Sequence, residues 1–239
     1  MQLKIKNFIQ LFLDLVFPRF CLLCNREGVW LCSDCFDKLA DNLIIESFCP
    51  YCERATIQAA ICSLCRRQSN LDKLIFSLPY TQGGLKTIIY NFKFSKIKEL
   101  ALPLSQLIEA RTKQLKLKLD SNIILMPIPL HRRRLNWRGF NQAEEIAKIL
   151  SQKTGLVYKN NTLKRVRPTK PQTKLTGKIR RLNLKQAFIA KNNPGLSKKT
   201  VWLIDDVTTT HTTMEEAASA LKKANPDIKK IYGVTVAKS

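Results

Sequence analysis

The sequence predicts an α/β domain with a parallel β-sheet, preceded by a small cysteine-rich module. All eight cysteines of the 239-residue chain lie between Cys21 and Cys65. In the second half of the chain, short apolar runs alternate with amphipathic stretches, which is typical of a parallel sheet with helical crossovers. An apolar content of 45% is sufficient for a buried core. We therefore divide the chain into a leading helix (1–20), a cysteine module (21–67) and an α/β domain (68–239).

The leading segment is apolar enough to raise the question of membrane insertion. Its apolar side chains recur on one face at helical spacing, and Asp14 interrupts them. The segment is too short and too interrupted to span a bilayer, which requires about 20 consecutive apolar residues. No small-residue cleavage site follows, so we expect no signal peptide. The sequence predicts an amphipathic helix packed on the domain, no integral membrane span and a cytoplasmic protein.

The α/β domain has a regular apolar pattern. Its apolar runs predict buried strands at 123–126, 201–204 and 231–237. Residues 70–120 are predicted to hold a Gly83–Gly84 turn and two helices, one of them over 97–108, and two further helices follow over 143–150 and 214–221. Asn141 and Glu144 form a candidate capping pair for the helix over 143–150, and Gly155 can end it. Ligands in parallel sheets bind at the carboxyl ends of the strands.

The cysteines form four Cys-x-x-Cys pairs. Two thiolates at this spacing on a tight turn can face one tetrahedral zinc ion, and two such turns complete a four-sulfur site. With no secretion signal expected and every cysteine paired in this way, a disulfide framework is disfavoured. Four sulfur ligands leave no position for water, so we predict one or two structural zinc ions. Sequential pairing is the simplest arrangement and crossed pairing stays open; the candidate ligands are Cys21, Cys24, Cys32, Cys35, Cys49, Cys52, Cys62 and Cys65.

The formal charge of +23 is concentrated in one region. Residues 111–200 contain 23 Lys or Arg against three acids, a net charge of +20. A field of this sign attracts polyanions such as nucleotide phosphates, pyrophosphate or a nucleic-acid backbone. The alternative is a surface that only keeps the protein in solution.

Residues 201–213 combine a buried strand, two acids and a hydroxyl-rich turn that leads into a helix. The two carboxylates can accept hydrogen bonds from the hydroxyls of a ribose. The threonines, with backbone N–H groups at the helix start, can hold a phosphate. The alternative is an acidic turn that caps a helix. The candidate binding residues are Asp205, Asp206, Val207, Thr208, Thr209, Thr210, His211, Thr212 and Thr213.

This segment resembles the phosphoribosyl pyrophosphate loop of type I phosphoribosyltransferases, in which two acids follow four apolar residues and precede a Thr-Thr-Gly-x-Thr turn. More narrowly, the chain resembles the ComF family of competence-associated, phosphoribosyltransferase-like proteins over nearly its whole length. The shared features are the double Cys-x-x-Cys module, MPIPL at 126–130, RGFNQ at 138–142, TKPQTKL at 169–175, and RRLN at 180–183 with Ala187-Phe188.

The resemblance implies a type I phosphoribosyltransferase-like sheet that binds phosphoribosyl pyrophosphate, or a related sugar phosphate, with Mg²⁺. It also implies a role in natural transformation, with single-stranded DNA and DNA-uptake machinery proteins as partners. The segment 126–130 is expected beside the pyrophosphate, under a basic flap formed by residues 163–183, whose charge can offset that of pyrophosphate. The candidate residues are Pro127, Ile128, Pro129, Arg138, Arg165, Arg167, Lys170, Gln172, Lys174, Arg180 and Arg181.

His211 departs from the family pattern, because the family loop has glycine at this position. Glycine lets the backbone approach a phosphate and adopt a positive φ. The histidine could shrink the site, or its imidazole could donate to the phosphate, and the sequence does not distinguish these outcomes.

The run HRRR, opened by His131, is predicted to belong to an anion-binding face; the alternative for His131 is a catalytic base. Aromatic residues alternate with arginines here, a pattern in which rings stack on exposed bases while cations follow the phosphates. The alternative is that Trp137 and Phe140 anchor the core beside a solvated basic loop. The candidate nucleic-acid residues are Arg132, Arg133, Arg134, Trp137, Arg138 and Phe140.

Two compatible hypotheses of function follow. The first is a phosphoribosyltransferase that acts on an unknown acceptor, since no residue stands out as a general base for it. The second is a single-stranded DNA-binding protein in which the phosphoribosyl pyrophosphate site is regulatory or degenerate.

Overall fold

The structure, a computed structural model, describes residues 18–45, 47–168 and 186–239. The predicted leading helix lies almost entirely outside the described residues. The same is true of the flap candidates Lys170, Gln172, Lys174, Arg180 and Arg181. No helix in the described part of the chain combines the length and the hydropathy that a membrane-spanning segment requires.

The cysteine module consists of two halves with the same local order. Each half begins with an antiparallel bridge, Phe20 with Glu27 in the first and Phe48 with Ala55 in the second. Each half then has a helix whose N-cap is a cysteine: α1 (Ser33–Ala40) follows Cys32, and α2 (Ser63–Arg66) follows Cys62. The second half joins the domain through a bridge between Ala60 and Lys73.

The domain contains a five-stranded parallel sheet. Its strands are β1 (Lys73–Pro79), β2 (Ile123–Pro127), β3 (Val157–Tyr158), β6 (Thr200–Thr208) and β7 (Lys230–Lys238). The spatial order is β1-β7-β6-β2-β3, so β6 lies in the centre, between β7 and β2. Two short strands, β4 (Leu163–Arg165) and β5 (Phe188–Ala190), form a separate antiparallel pair.

Helices cover both faces of the parallel sheet. The helices of the domain are α3 (Leu85–Phe94), α4 (Ala101–Gln114), α5 (Arg132–Arg138), α6 (Gln142–Thr154) and α7 (Thr212–Ala224), with 3₁₀ turns at Gln82–Gly84, Lys98–Leu100 and Pro194–Leu196. Successive residues of β6 point to opposite faces. Trp202 and Ile204 pack in the core under α3, α4 and α6, whereas Val201 and Leu203 pack in the core under α7.

The predicted α/β class is confirmed, and so are the three predicted strands. β6 is longer than predicted and runs through Asp205 and Asp206 to Thr208, so the two acids are part of the central strand. The prediction also missed β1, although its sequence KLIFSLP is almost wholly buried.

The capping pair predicted at α6 is wrong. Asn141 is the N-cap residue, but its side chain makes no capping hydrogen bond and instead donates from Nδ2 to the carbonyl of Ile128, 3.0 Å away. Glu144 accepts from the Tyr158 hydroxyl at 3.1 Å. The predicted end of this helix is confirmed, because Gly155 has a φ of 73° and donates to the carbonyl of Ser151.

Candidate functional site

A cleft of about 280 Å³ opens at the carboxyl end of the central strand β6. This is the position at which ligands bind in parallel sheets. The walls come from the end of β6, the turn into α7, the segment after β2, helix α5, the end of α3, the start of α6, and β4. The lining residues are Tyr80, Lys93, Ile128, Leu130, Arg134, Arg138, Asn141, Gln142, Arg165, Asp205, Asp206, Val207, Thr208, Thr209, Thr210, His211, Thr212, Thr213, Met214 and Ser239.

The two acids of β6 occupy different environments within this cleft. Asp206 is buried, and its Oδ1 accepts an ion pair from Lys93 Nζ at 2.9 Å. Asp205 makes no ion pair among the described residues, but its Oδ1 accepts from the backbone N–H of Asp206 at 2.9 Å. Lys93 is therefore paired directly with Asp206, whereas the described hydrogen bond to Asp205 comes from a backbone amide.

This asymmetry perturbs the titration of Asp205. Burial raises the pKa of Asp205, and the adjacent charge of Asp206 raises it further, to about 7. Lys93, the Asp206 amide and Arg165 lower the pKa without cancelling these effects. A carboxyl group that titrates near neutral pH in a cleft is typical of a functional site.

Arg138 and Gln142 form a second polar pair in the cleft. Arg138 donates to Gln142 Oε1 at 2.8 Å. Arg138 Nε and Gln142 Nε2 are buried and have no hydrogen-bond partner among the described residues. Since buried donors are normally satisfied, these two N–H groups are available to an acceptor oxygen of a ligand.

Burial also affects the cleft arginines. It lowers the pKa of Arg165 to about 10, with a further contribution from Arg134, and it lowers the pKa of Arg138. The guanidinium groups remain charged at neutral pH. Three arginines and Lys93 thus face two carboxylates, and the cleft is suited to a polyanion.

The turn after β6 holds its shape through internal hydrogen bonds. Thr210 Oγ1 and Thr212 Oγ1 are 3.0 Å apart, and Thr212 Oγ1 also donates to the Thr210 carbonyl. The amide of Ser239 donates to the Thr208 carbonyl at 2.9 Å. The first N–H groups of α7 have no intrahelical acceptor, and the first residues of this helix, Thr212 and Thr213, line the cleft.

His211 adopts the backbone conformation that glycine would favour, with a φ of 57°. Its Nε2 lies 3.1 Å from the carbonyl of Pro50, and its Nδ1 lies 3.3 Å from Thr208 Oγ1. A carbonyl can only accept, so Nε2 carries the proton and Nδ1 accepts from the threonine hydroxyl. Burial and the nearby Lys238 lower the pKa of His211, which favours this neutral form. Both ring nitrogens therefore contact the protein.

Other predicted residues are distributed unevenly around the cleft. Ile128 lines it, whereas Pro127, Pro129 and Arg167 are outside its lining. Phe140 is buried against Phe92, with ring centroids 5.5 Å apart, which favours the core-anchor interpretation for that residue.

Trp137 is the opposite case, because 64% of it is exposed. Its ring centroid lies 5.9 Å from that of Phe94, and the ring centroids of Phe94 and Tyr90 are 4.9 Å apart. The guanidinium of Arg138 lies 5.4 Å from the Phe94 ring centre. We call the exposed trio Tyr90, Phe94 and Trp137 the aromatic platform.

The cysteines assemble into two tetrads with sequential pairing. The first tetrad is Cys21, Cys24, Cys32 and Cys35, and the second is Cys49, Cys52, Cys62 and Cys65; within each, all Sγ atoms lie within 4.8 Å of one another. The Sγ atoms of Cys24 and Cys32 are 3.6 Å apart, and those of Cys52 and Cys62 are 3.5 Å apart. A tetrahedron with Zn–S bonds of about 2.3 Å has edges of about 3.8 Å. Both tetrads therefore fit structural zinc.

The thiols of each tetrad differ in pKa, and therefore in how readily each loses the proton that metal binding displaces. The backbone N–H of Cys65 lowers the pKa of Cys62 to about 6, whereas burial and the neighbouring sulfurs raise the pKa of Cys65 to about 12. The first tetrad has the same pattern. Burial alone would raise the pKa of Cys21, but backbone donors lower it to about 6, and burial raises that of Cys35 to about 12. A dication would allow all four thiols to ionise.

Comparison with known proteins agrees with both parts of the chain. Residues 12–68 match a family model described as a double zinc ribbon domain. Competence protein F of Haemophilus influenzae is 33% identical over 214 residues, which cover 85% of this chain and 89% of that protein. The chain belongs to the ComF family. The DNA utilization protein YhgH of Salmonella typhimurium is 29% identical, over 87% of this chain and 92% of that protein. The competence protein ComFC of Bacillus subtilis is 28% identical, over 84% of this chain and 88% of that protein.

Sequence analysis of this ComF protein missed several residues of the cleft, among them Lys93 and Gln142. Lys93 comes from α3, 113 positions before its partner Asp206, and Gln142 was seen only as part of a matching motif. Lys93 does carry a local signal. It lies four residues after Ile89 on the buried side of an amphipathic helix, where a lysine is rarely placed without an anionic partner.

Proposed function

We propose that this protein binds phosphoribosyl pyrophosphate, or a closely related sugar phosphate, together with Mg²⁺ in the cleft at the end of β6, and acts in the cytoplasm in DNA uptake. The observation that carries the proposal is the placement of Asp205, Asp206 and the threonine turn at one end of the central parallel strand. Relatives named for competence and DNA utilization support the biological role.

The chemistry of the cleft supports a ligand with both a sugar and several phosphates. The β6 carboxylates can accept hydrogen bonds from two ribose hydroxyls, and the N-terminus of α7 can hold the 5-phosphate. Lys93, Arg134, Arg138 and Arg165 can offset the charge of pyrophosphate. The partnerless N–H groups of Arg138 and Gln142 supply two more donors for ligand oxygens.

The double variant Asp205→Asn with Asp206→Asn tests this proposal. We expect calorimetry with phosphoribosyl pyrophosphate and Mg²⁺ to show an affinity at least about 100-fold lower than that of wild type, because hydrogen bonds to charged groups contribute about 1.5–3 kcal/mol each. The control is Asp37→Asn with Asp227→Asn, which makes the same change in net charge at two exposed positions. Equal affinities in the two double variants would contradict the proposed site.

Turnover is a separate part of the proposal. In a transferase, the bond from the anomeric carbon to pyrophosphate would break as an acceptor attacks that carbon; pyrophosphate would leave with the bonding electrons and the acceptor would lose its proton to solvent. The basic side chains of the cleft would offset the charge of the departing pyrophosphate, and bound Mg²⁺ would supply further positive charge. Release of pyrophosphate by wild type, lost in the double variant, supports this activity. Binding without any release in the presence of candidate acceptors supports a regulatory site instead.

A second candidate function, single-stranded DNA binding, is favoured by the aromatic platform. Its three rings are 43–64% exposed, and one of them, Trp137, is on the same short helix, α5, as the exposed Arg132 and Arg133. Exposed rings next to cations form a stacking surface for bases whose phosphates the cations contact. The platform also borders the cleft, since Arg138 touches Phe94 and lines the cleft.

Salt titration separates stacking from charge in this second function. If six to ten phosphates are contacted, affinity for single-stranded DNA should fall roughly 300- to 16,000-fold between 50 and 200 mM salt, since each phosphate contributes about 0.7 to the slope for single strands. We expect Phe94→Ala with Trp137→Ala to lower affinity about 10- to 100-fold at every salt concentration. Arg132→Ala with Arg133→Ala should instead reduce the slope of log affinity against log salt by about 1.4. An unchanged affinity in the aromatic variant, with a flat salt response in wild type, would exclude this function.

A further inference from the structure

The side chain of His211 connects two parts of the molecule that are far apart in sequence. Its Nε2 donates to the carbonyl of Pro50 at 3.1 Å, a partner 161 positions earlier, while its Nδ1 holds Thr208 of the same turn. His211 is also the N-cap of α7 and has a left-handed backbone conformation. The tightest point of the phosphate-binding turn is therefore tied to the cysteine module.

Pro50 is fixed by the second tetrad, because it lies with Tyr51 between the ligands Cys49 and Cys52. The ring of Tyr51 packs edge-on against the ring of His211, with centroids 5.0 Å apart. Lys238, in the strand next to β6, also donates to the Pro50 carbonyl, at 3.4 Å. The position of the Pro50–Tyr51 segment therefore depends on the two cysteine ligands on either side of it.

A second tie is made by Glu215 in the first turn of α7. Its carboxylate accepts from Ser69 Oγ at 2.5 Å and from the backbone N–H of Asn70 at 2.7 Å, and the Tyr51 hydroxyl donates to it as well. Ser69 and Asn70 follow Cys65, the last ligand of the second tetrad. Both sequence ends of this tetrad thus hold the start of the helix that would bind the phosphate.

The first tetrad makes its contacts elsewhere. Leu23, between the ligands Cys21 and Cys24, packs over Gly84 at the start of α3, where an added Cβ would come within 2.4 Å of Leu23 Cδ2. This contact lies on the other side of the domain core from α7. The two tetrads therefore differ in what they support.

We propose that the second tetrad and the phosphate-binding turn form one coupled unit, in which His211 and Glu215 act as positioning residues and metal binding at the tetrad favours the phosphate-binding shape of the turn. This inference rests on the proposed function for its ligand. Because coupling between two sites is reciprocal, a ligand at the turn must also favour retention of the metal. The side chain that replaces the glycine of the family loop would thereby link the zinc ribbon to the sugar-phosphate site.

The test measures zinc release from the full-length, zinc-loaded protein to a chromophoric chelator. His211→Asn keeps a residue that tolerates a left-handed conformation but is too short to reach Pro50. We expect it to accelerate release from the second tetrad about threefold to tenfold, the range that one hydrogen bond supplies, and to leave the first tetrad unchanged. Lys198→Asn, at another left-handed position with a φ of 57°, is the matched control and should behave as wild type.

Addition of phosphoribosyl pyrophosphate with Mg²⁺ provides the reciprocal measurement. It should slow release from the second tetrad of wild type by a similar factor, and this protection should be lost in His211→Asn. The first tetrad serves as an internal control for direct chelation of zinc by the ligand. Wild-type release rates in His211→Asn, or bound ligand without any protection, would overturn the coupling.

The outcome also distinguishes failure of the coupling from failure of the proposed function. If calorimetry shows no ligand binding but His211→Asn still accelerates release from the second tetrad, the proposed function is wrong and the structural tie stands. If His211→Asn does not fold, Glu215→Gln replaces it, with Glu216→Gln as the control for charge. We expect faster release from the second tetrad in Glu215→Gln alone, and equal rates in the two glutamine variants would overturn the tie.

Discussion

Cys52→Ser is expected to lower the midpoint of thermal unfolding by about 10 °C or more, a larger drop than that caused by Cys24→Ser. Both cysteines are exposed metal ligands, so neither substitution opens a cavity in the core. A structural zinc site contributes folding free energy directly, about 10–16 kcal/mol in zinc-finger peptides. Loss of even a third of this stability in a chain of this size corresponds to a shift of about 10 °C.

The two tetrads differ in how directly their sulfur atoms join the core of the domain. Cys49 belongs to the same core as Leu71 and Leu74, whereas the buried cysteines of the first tetrad form a small cluster of their own. Backbone hydrogen bonds from Ile61 to Asp72 and from Leu74 to Ala59 join the second tetrad to β1.

Calorimetry with measurement of zinc content tests this prediction. Treatment of wild type with a chelator should lower the midpoint at least as far as Cys52→Ser does, because it removes zinc from both tetrads. Equal shifts in the two serine variants, each with one zinc lost, would show that both halves support the sheet to the same degree.

The elements that sequence analysis predicted well are those whose pattern is local. The runs at 123–126, 201–204 and 231–237 are apolar on both faces because the central strands are covered by helices on both sides, so the run itself is the signal. Sequential cysteine pairing is also local, since each tetrad forms within 17 residues or fewer. The acids and threonines of the cleft are also close together in the sequence, so the local pattern was sufficient to predict them.

The parts that were missed depend on tertiary contacts. Lys93 reaches Asp206 only because α3 packs beside the end of β6, and no periodicity encodes that meeting. The orientation of the His211 ring depends on Pro50, whose carbonyl has no sequence signature. At Asn141 a local rule predicted a capping side chain. The side chain instead donates to the buried carbonyl of Ile128, which requires a hydrogen-bond donor.

Asp205→Asn is expected to stabilise the folded protein, by a margin that increases with pH. Burial and the neighbouring Asp206 raise the pKa of Asp205 to about 7, while an aspartate in an unfolded chain titrates near 3.8. Since the folded-state pKa is the higher one, the contribution of Asp205 to wild-type stability is most favourable below pH 3.8 and declines until pH reaches about 7. At 1.36 kcal/mol per unit, the loss at pH 8 is on the order of 2–4 kcal/mol.

The asparagine removes this loss because it has no charge to desolvate, and its amide oxygen can still accept from the backbone N–H of Asp206. Thermal unfolding of wild type and variant at pH 5.5 and 8.5 tests the effect, with an expected gain at pH 8.5 of roughly 5–10 °C. Asp206→Asn is the control of opposite sign. It breaks the ion pair with Lys93 and should destabilise the protein at both pH values.

A pH-independent difference, or a variant less stable than wild type at pH 8.5, would show that Asp205 is accommodated by its surroundings without strain. The expected gain has a specific meaning when it is combined with loss of ligand binding. A carboxylate that is required for binding can still destabilise the free protein. Its ionised form is then stabilised only when a ligand is bound, by the hydroxyl donors of the ligand or by its metal ion. Measuring both thermal stability and phosphoribosyl pyrophosphate binding in Asp205→Asn alone therefore separates a binding residue from a structural one, because loss of a structural carboxylate lowers stability and binding together.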